Sequence, residues 1–222
     1  MLDKHGLSDR VEELNIEAVK LARKVCPDGK FVAGSIGPTG EIFQPLGSLD
    51  AETAKAVFRE QAIALEKGGA DIIFVETMMS VEELECAVIA AKEATNLPVS
   101  ASMTFNVTPN GVFTHWGVDT ATFVRQAEKA GADVISSYCG KGFDEMIQVI
   151  TEIRGLTKKP LMAQANAGMP ELIDGKHIYK ETAKDIAPKA AKLLALKIDI
   201  IGGCCGTGPE HIAEIRNLVK QG

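Results

Sequence analysis

One short joint recurs along this chain. It reads Gly69-Ala70-Asp71-Ile72-Ile73, then Gly131-Ala132-Asp133-Val134-Ile135, with a looser copy at Lys197-Ile198-Asp199-Ile200-Ile201. Each copy stands between a helical pattern and an apolar run. A residue that stops a helix, followed at once by a strand apolar on both faces, is what a parallel sheet covered by helices requires. Regular reuse of one joint favours a (β/α) barrel over a doubly wound sheet. No G-x-G-x-x-G follows the first strand, so a dinucleotide fold loses support.

The same patterning predicts helices over 9–26, 51–67, 81–94, 120–130, 143–154, 180–196 and 209–220. Ser8, Asp50, Ser80 and Asp119 are the expected N-caps of the first four, and Pro188 is expected to kink the sixth. Strands are predicted over 31–35, 71–76, 98–105, 133–138, 160–166 and 198–202, with 106–117 and 167–176 as loops. Six strands alternating with seven helices make an α/β fold of (β/α)8 TIM-barrel type, two strands short of the full eight. Residues 1–222 are read as a single domain.

Aromatic residues are 5% of the chain and apolar residues 45%, so the core must come largely from Ala, Val, Ile, Leu and Met. The net charge is −6, and no Lys/Arg cluster stands out. This argues against nucleic-acid and anionic-membrane partners. No apolar run reaches the roughly 18 residues of a membrane span, and Met1–His5 does not open a secretory signal. The five cysteines are odd in number and irregularly spaced, which points to a reduced, cytoplasmic setting. Cys26 and Cys86 fall in helical patterns and are read as structural.

The chemistry collects near the end, at Ile200-Ile201-Gly202-Gly203-Cys204-Cys205-Gly206-Thr207-Gly208-Pro209-Glu210-His211-Ile212. A strand breaks at two glycines, presents adjacent cysteines and re-enters a helix at Pro209. Neighbouring cysteines bridge each other only with strain. The pair is therefore read as two ligands of one metal ion, zinc by its preference for thiolates, against the plainer reading of two small buried residues. In a βα barrel function sits at the carboxyl ends of the strands. Those ends carry Ser35, Glu76, Thr77, Thr104, Cys139, Asn166, Cys204 and Cys205. Three thiols from two strand ends leave one position open for a substrate, an arrangement suited to alkyl transfer onto a thiol. Glu76 closes an otherwise apolar strand and is open to two readings, a site for a substrate ammonium group or an ion pair with a neighbour. Asn166 either contacts substrate or braces its loop. His115 and Trp116 belong to a lid or to an exposed loop tip, and Lys141 assists an anion or is merely solvated. His211 lies on the last helix and is expected to face away from the thiols.

The block Gly202-Gly203-Cys204-Cys205-Gly206-Thr207-x-Pro209-x-His211-Ile212 resembles the signature of the homocysteine S-methyltransferase (homocysteine-binding) family, which includes the N-terminal module of cobalamin-dependent methionine synthase. Gly34-Ser35-Ile36-Gly37-Pro38, Glu76-Thr77 and Asn166-Ala167-Gly168-x-Pro170 are similar to further blocks of that family, in the same order. The resemblance implies a (β/α)8 barrel with zinc on Cys139, Cys204 and Cys205. It implies homocysteine, or a related thiol, bound as thiolate with Glu76, Ser35 and Asn166 as substrate-binding residues. The activated sulfur attacks a methyl donor, expected to be a separate methyl-corrinoid protein, in methionine biosynthesis. Against the family pattern, the first two strands have no counterpart, Tyr138 stands where Asn usually precedes the first zinc cysteine, and Thr77 replaces the aromatic of betaine-using members. An open barrel edge suggests a homo-oligomer that covers it. The competing expectation is a non-catalytic or truncated zinc-binding subunit of a larger methyltransferase assembly.

Overall fold

The computed structural model describes residues 2–221; Met1 and Gly222, the ends of the expected single domain, lie outside the described residues. After two short 3-10 turns, the elements in chain order are α1 (Val11–Val25), β1 (Ala33–Ile36), α2 (Ala51–Gly68), β2 (Ile72–Met78), α3 (Val81–Ala94), β3 (Val99–Met103), β4 (Asn106–Thr108), β5 (Gly111–Phe113), α4 (Thr120–Lys129), β6 (Val134–Cys139), α5 (Phe143–Leu156), β7 (Leu161–Ala165), β8 (Glu171–Ile173), β9 (Lys176–Ile178), α6 (Ala183–Ala195), β10 (Ile200–Gly203) and α7 (Pro209–Gln221). All six predicted strands and seven predicted helices are present, in a βα alternation of TIM-barrel type. No helix among the described residues is long and apolar enough to cross a membrane.

The chain divides into two compact units, residues 1–102 with 125–134, and residues 103–124 with 135–222. In the first, β1, β2 and β3 are hydrogen-bonded neighbours in that order. Ala33 pairs with Ile72 and Ile36 with Val75, in parallel. Every residue of β3 is buried, as expected of a covered parallel strand. Ile36, Ile73, Val75, Phe58, Ala62, Leu84 and Val88 are fully or nearly fully buried core residues. In the second unit the order is β6, β7, β10. Leu161, Ala163 and Ala165 of β7 are buried, as are Phe143, Ile150 and Ile153 of α5 and Ile186, Ala190 and Leu193 of α6.

The recurrent joint has a physical reason. In each copy the aspartate makes two bonds to a single residue at the start of the neighbouring strand. The Asp71 backbone N–H donates to the Val32 carbonyl at 2.8 Å, and the Val32 N–H returns a bond to the Asp71 carboxylate at 2.6 Å. Asp133 does the same with Val99, at 2.8 and 2.8 Å, and Asp199 with Leu161, at 2.9 and 2.8 Å. The carboxylate thus satisfies a strand-end N–H that the ladder leaves over, and it sets the parallel register from the amino-terminal side. Lys92 reaches Asp133 at 2.9 Å, and Arg23 pairs with Asp71.

Three expected caps are present. Asp50 accepts from the Thr53 N–H at 2.8 Å, Ser80 from Glu83 at 3.2 Å, and Asp119 from Thr122 at 2.6 Å. Ser8 is not a cap: it begins a 3-10 turn, Ser8–Arg10, and α1 starts at Val11 with Arg10 before it and no side-chain cap. The predicted helix over 180–196 starts later, at Ala183, behind a capping box of Thr182 and Asp185. The two long segments read as loops each contain an antiparallel hairpin, β4–β5 and β8–β9. The second turns at Asp174 and Gly175, both with positive φ, the pairing that two-residue hairpin turns demand.

Asp133→Ala removes the bond to the Val99 N–H and the Lys92 ion pair and is expected to lower the unfolding free energy by about 1–3 kcal/mol, while Asp133→Asn, which keeps an acceptor, costs less. Urea midpoints at unchanged slope test this. Asp71 lies below the ordinary carboxylate range, held there by the Val32 N–H and then by Arg23. Its contribution is therefore complete above its unfolded pKa of about 3.9 and is lost as pH falls through the lower folded value. Acid unfolding of Asp71→Asn should show correspondingly less pH dependence in that range.

Candidate metal centre

Strand register brings the thiols together. Cys139, the last residue of β6, pairs with Ala165 of β7, and Ala165 pairs with Gly203 of β10. One row of the sheet therefore places Cys139 two strands from Gly203, with Cys204 the next residue along. The Cys204 N–H continues the ladder to the Ala165 carbonyl at 2.9 Å, and the Ala167 N–H donates to the Cys205 carbonyl at 2.9 Å. The sulfurs of Cys139, Cys204 and Cys205 all lie within 4.8 Å of one another, and those of Cys204 and Cys205 are 3.6 Å apart.

The glycines around the double cysteine have identifiable work. A Cβ on Gly203 would stand 2.4 Å from the Thr207 hydroxyl oxygen. That close approach lets Thr207 close the turn, its N–H and hydroxyl both donating to the Cys204 carbonyl at 3.1 and 2.7 Å. Gly206 has φ +79°, and a Cβ there would meet the Tyr179 ring at 2.2 Å. Cys139 itself has φ +72°, a left-handed conformation that costs a non-glycine residue of order 1 kcal/mol and is characteristic of functional sites.

Asn166 is buried and uses both ends of its amide. Its Nδ2 donates to the Gly140 carbonyl at 2.6 Å, and its Oδ1 accepts from the Cys205 N–H at 3.0 Å. It therefore ties the loop after Cys139 to the loop that carries Cys205. His211, at the start of α7, turns back towards these loops but is not placed as a ligand. Its Nδ1 accepts from the Gly208 N–H at 3.0 Å, and its Nε2 sits 2.9 Å from the Glu181 carbonyl, to which it donates. Both ring nitrogens are thereby engaged in fastening the turn.

The thiol chemistry is asymmetric. Cys139 is drawn down to about 5, first by the hydrogen bond from Cys204, then by Asn166 and the Gly140 N–H. Cys204 is correspondingly pushed up, by its bond to Cys139 and by burial, with Tyr138 acting in the opposite direction. The two shifts run in opposite directions, so of this pair Cys139 is the thiol favoured to ionise first. Tyr179 is also raised, first by burial and then by the charge of the nearby Cys205 sulfur. The two tyrosines were not singled out as site residues from the sequence, although Tyr138 adjoins Cys139.

These residues fit a zinc ion. A tetrahedral ion with metal–sulfur bonds of about 2.3 Å sets its sulfurs roughly 3.8 Å apart, close to the Cys204–Cys205 separation. Three soft donors with no fourth among the described residues leave one coordination position open.

The other predicted site residues group in the first unit. The Ser35 hydroxyl, on β1, donates to Glu76 Oε1, on β2. Thr77, beside Glu76, has φ +61°, which for a β-branched residue is an outlier. A cavity of about 600 Å³ in this unit is lined by Asn15, Gly37, Thr39, Phe58 and Gln61, among others. In the second unit, Lys141 pairs with Glu145 at 3.1 Å, and His115 lies 3.4 Å from Asn106. Both His115 and Trp116 follow β5 rather than forming the hairpin tip, and Trp116 is exposed.

The homocysteine S-methyltransferase family matches residues 1–219 of this chain. Methionine synthase of Mycobacterium tuberculosis is 29% identical over 230 residues, covering 98% of this chain and 19% of that protein. The chain thus spans about a fifth of the length of that relative. Among solved structures, the apo form of the homocysteine methyltransferase MmuM from Escherichia coli superposes with a TM-score of 0.76 at 22% identity, over 95% of this chain and 75% of that one. Its metallated form superposes with a TM-score of 0.72 at the same identity, over 95% and 71%.

Two outcomes are expected. Asn166→Ala should weaken zinc binding by about 10- to 100-fold, read by competition with a chromophoric chelator. In metal-free protein at pH 6, iodoacetamide should modify Cys139 ahead of Cys204, and the Cys139 rate should fall as pH drops through about 5. Mass spectrometry of the peptides reports both.

Proposed function

Because this chain belongs to the homocysteine S-methyltransferase family, we propose that it is the thiol-activating part of a zinc-dependent methyltransferase that readies homocysteine, or a related thiol, for attack on a methyl donor. The observation that carries this reading is the trio of sulfurs from Cys139, Cys204 and Cys205, close enough for one ion and one ligand short of a closed shell. A metallated form of a homocysteine methyltransferase of the same fold supports it. So does the similarity to methionine synthase.

Cys139, Cys204 and Cys205 would hold the zinc, which would supply an open position lowering the pKa of a substrate thiol towards neutral. The protein's own part is to hold three thiolates in place. Cys139 is already the favoured anion, and Asn166 keeps its loop in step with that of Cys205. For the substrate ammonium group we assign Glu76, whose carboxylate is oriented by the Ser35 hydroxyl. Asn166 is assigned to the substrate pocket as well, its amide shaping the wall formed by the two loops. The methyl donor is assigned to a separate methyl-corrinoid protein, on the resemblance of the double-cysteine block. Residues 1–222 are taken as one domain of homocysteine-binding type. The proposed setting is the reducing cytoplasm, since all five cysteines are free.

Zinc-edge X-ray absorption on the purified protein, with and without L-homocysteine, tests the proposal. The expected result is a shell of three sulfurs that becomes four on adding homocysteine. A shell indifferent to homocysteine would overturn the substrate assignment, and failure to bind zinc under reducing conditions would overturn the metal centre.

A further inference from the structure

Glu181, two residues before α6, meets the thiol-bearing loops through its backbone and α6 through its side chain. Its N–H donates to the Ala167 carbonyl at 3.4 Å, and the Ala167 N–H in turn donates to the Cys205 carbonyl. Its own carbonyl accepts from His211, which fastens the turn after the double cysteine. Gly168 leaves room for the side chain beside the loop after β7: a Cβ there, at φ +82°, would stand 3.1 Å from the Glu181 Cγ. The carboxylate accepts from Lys189 of α6 at 2.7 Å. Lys189 also reaches Asp144, in the first turn of α5, at 2.6 Å.

Exposure ranks these contacts. The side chains of Lys189 and Glu181 are 20% and 26% exposed, whereas that of Asp144 is 68% exposed. Solvent therefore screens the Asp144 pair, and the Lys189–Glu181 pair is the one that carries weight. Burial opposes the Lys189 charge, yet Asp144 and Glu181 hold its pKa above the ordinary lysine value. Glu181 Oε2 is buried and has no hydrogen-bond partner among the described residues. Lys189 is thus the cation that compensates this carboxylate. A partly buried ion pair adds little net stability, but it penalises every arrangement that separates the charges. Here the arrangement it favours is the one that presents the Glu181 N–H to Ala167 and the Glu181 carbonyl to His211.

We propose that Glu181 and Lys189 are positioning residues of the thiol cluster, their ion pair holding the Glu181 backbone where it fastens both Ala167 and His211 and so keeping Cys204 and Cys205 at the spacing that one ion shared with Cys139 requires. This rests on the zinc reading of the three cysteines. Both residues act through the loops and not as ligands.

The test uses the full chain with Lys189→Met, with Lys189→Arg, and with Glu181→Met and Lys189→Met together. Lys189→Met alone leaves a partly buried carboxylate without its cation, whereas the double variant removes both charges and leaves no orphan. Far-UV circular dichroism checks folding. Zinc affinity is read by competition with a chromophoric chelator, and the cobalt-substituted proteins report the sulfur-to-metal charge-transfer band at metal saturation. The double variant should bind zinc about tenfold more weakly than wild type with an unchanged dichroism spectrum, and its cobalt band should shift. Lys189→Met should be at least as weak. Lys189→Arg, which keeps the charge and the donors, should recover most of the affinity. Wild-type affinity and an unmoved band in the double variant would overturn the inference and leave the zinc centre standing. So would Lys189→Arg binding as weakly as the double variant, or a double variant that loses its fold, which would make the pair a general prop. A wild-type protein that binds no zinc would remove the centre and the inference together.

Discussion

The in-step parallel pairing of β6, β7 and β10 is what the cluster of three thiols depends on. Cys139, Ala165 and Gly203 share one row, and the ladder continues one bond further, from the Cys204 N–H to Ala165. Side chains alternate along a strand, so a slip of one residue would turn Cys139 to the other face. The aspartate joint guards against this from the opposite end of the strands. Asp199 holds Leu161, the first residue of β7, through two bonds. The register fixed there determines which residues meet at the carboxyl end.

On that frame the loops add the precision that a metal shell needs. Asn166 follows β7 directly and bonds to the loop on each side of it. The left-handed φ of Cys139 aims its sulfur while the chain turns away through Gly140. The Thr207 turn and the buried His211 hold the double cysteine against the start of α7. The result is a cluster in which Cys139 is the thiol drawn furthest towards its anion.

Much of this was legible in the residues. The alternation of apolar runs with helical patterns is a local property, and it placed six strands and seven helices. Asp50, Ser80 and Asp119 cap as expected because a cap is a contact over three residues. Ser8 failed because the turn it begins is a 3-10 turn that runs on into α1, leaving Arg10 as the last residue before the helix. The hairpins β4–β5 and β8–β9 were hidden in segments read as loops. Their strands are three residues each, too short for an alternating pattern to stand out from its surroundings. Asn166 was left between substrate contact and brace, and the structure shows the bracing bonds, which join positions 26 and 39 residues away.

What the sequence alone determined is the inventory: a βα fold, three cysteines at strand ends, and a double-cysteine block specific enough to mark a family. These follow from patterns and residue types that are set before the chain folds. Only the tertiary structure decided that the sulfurs of Cys139, Cys204 and Cys205 gather within 4.8 Å of one another, that His211 spends both nitrogens on the turn, and that Asn166 ties the Gly140 and Cys205 loops together. Each of these is a contact between segments distant in the chain, and its existence depends on strand register and on the room that Gly203 and Gly206 leave. Composition and spacing do not encode such distances; packing sets them.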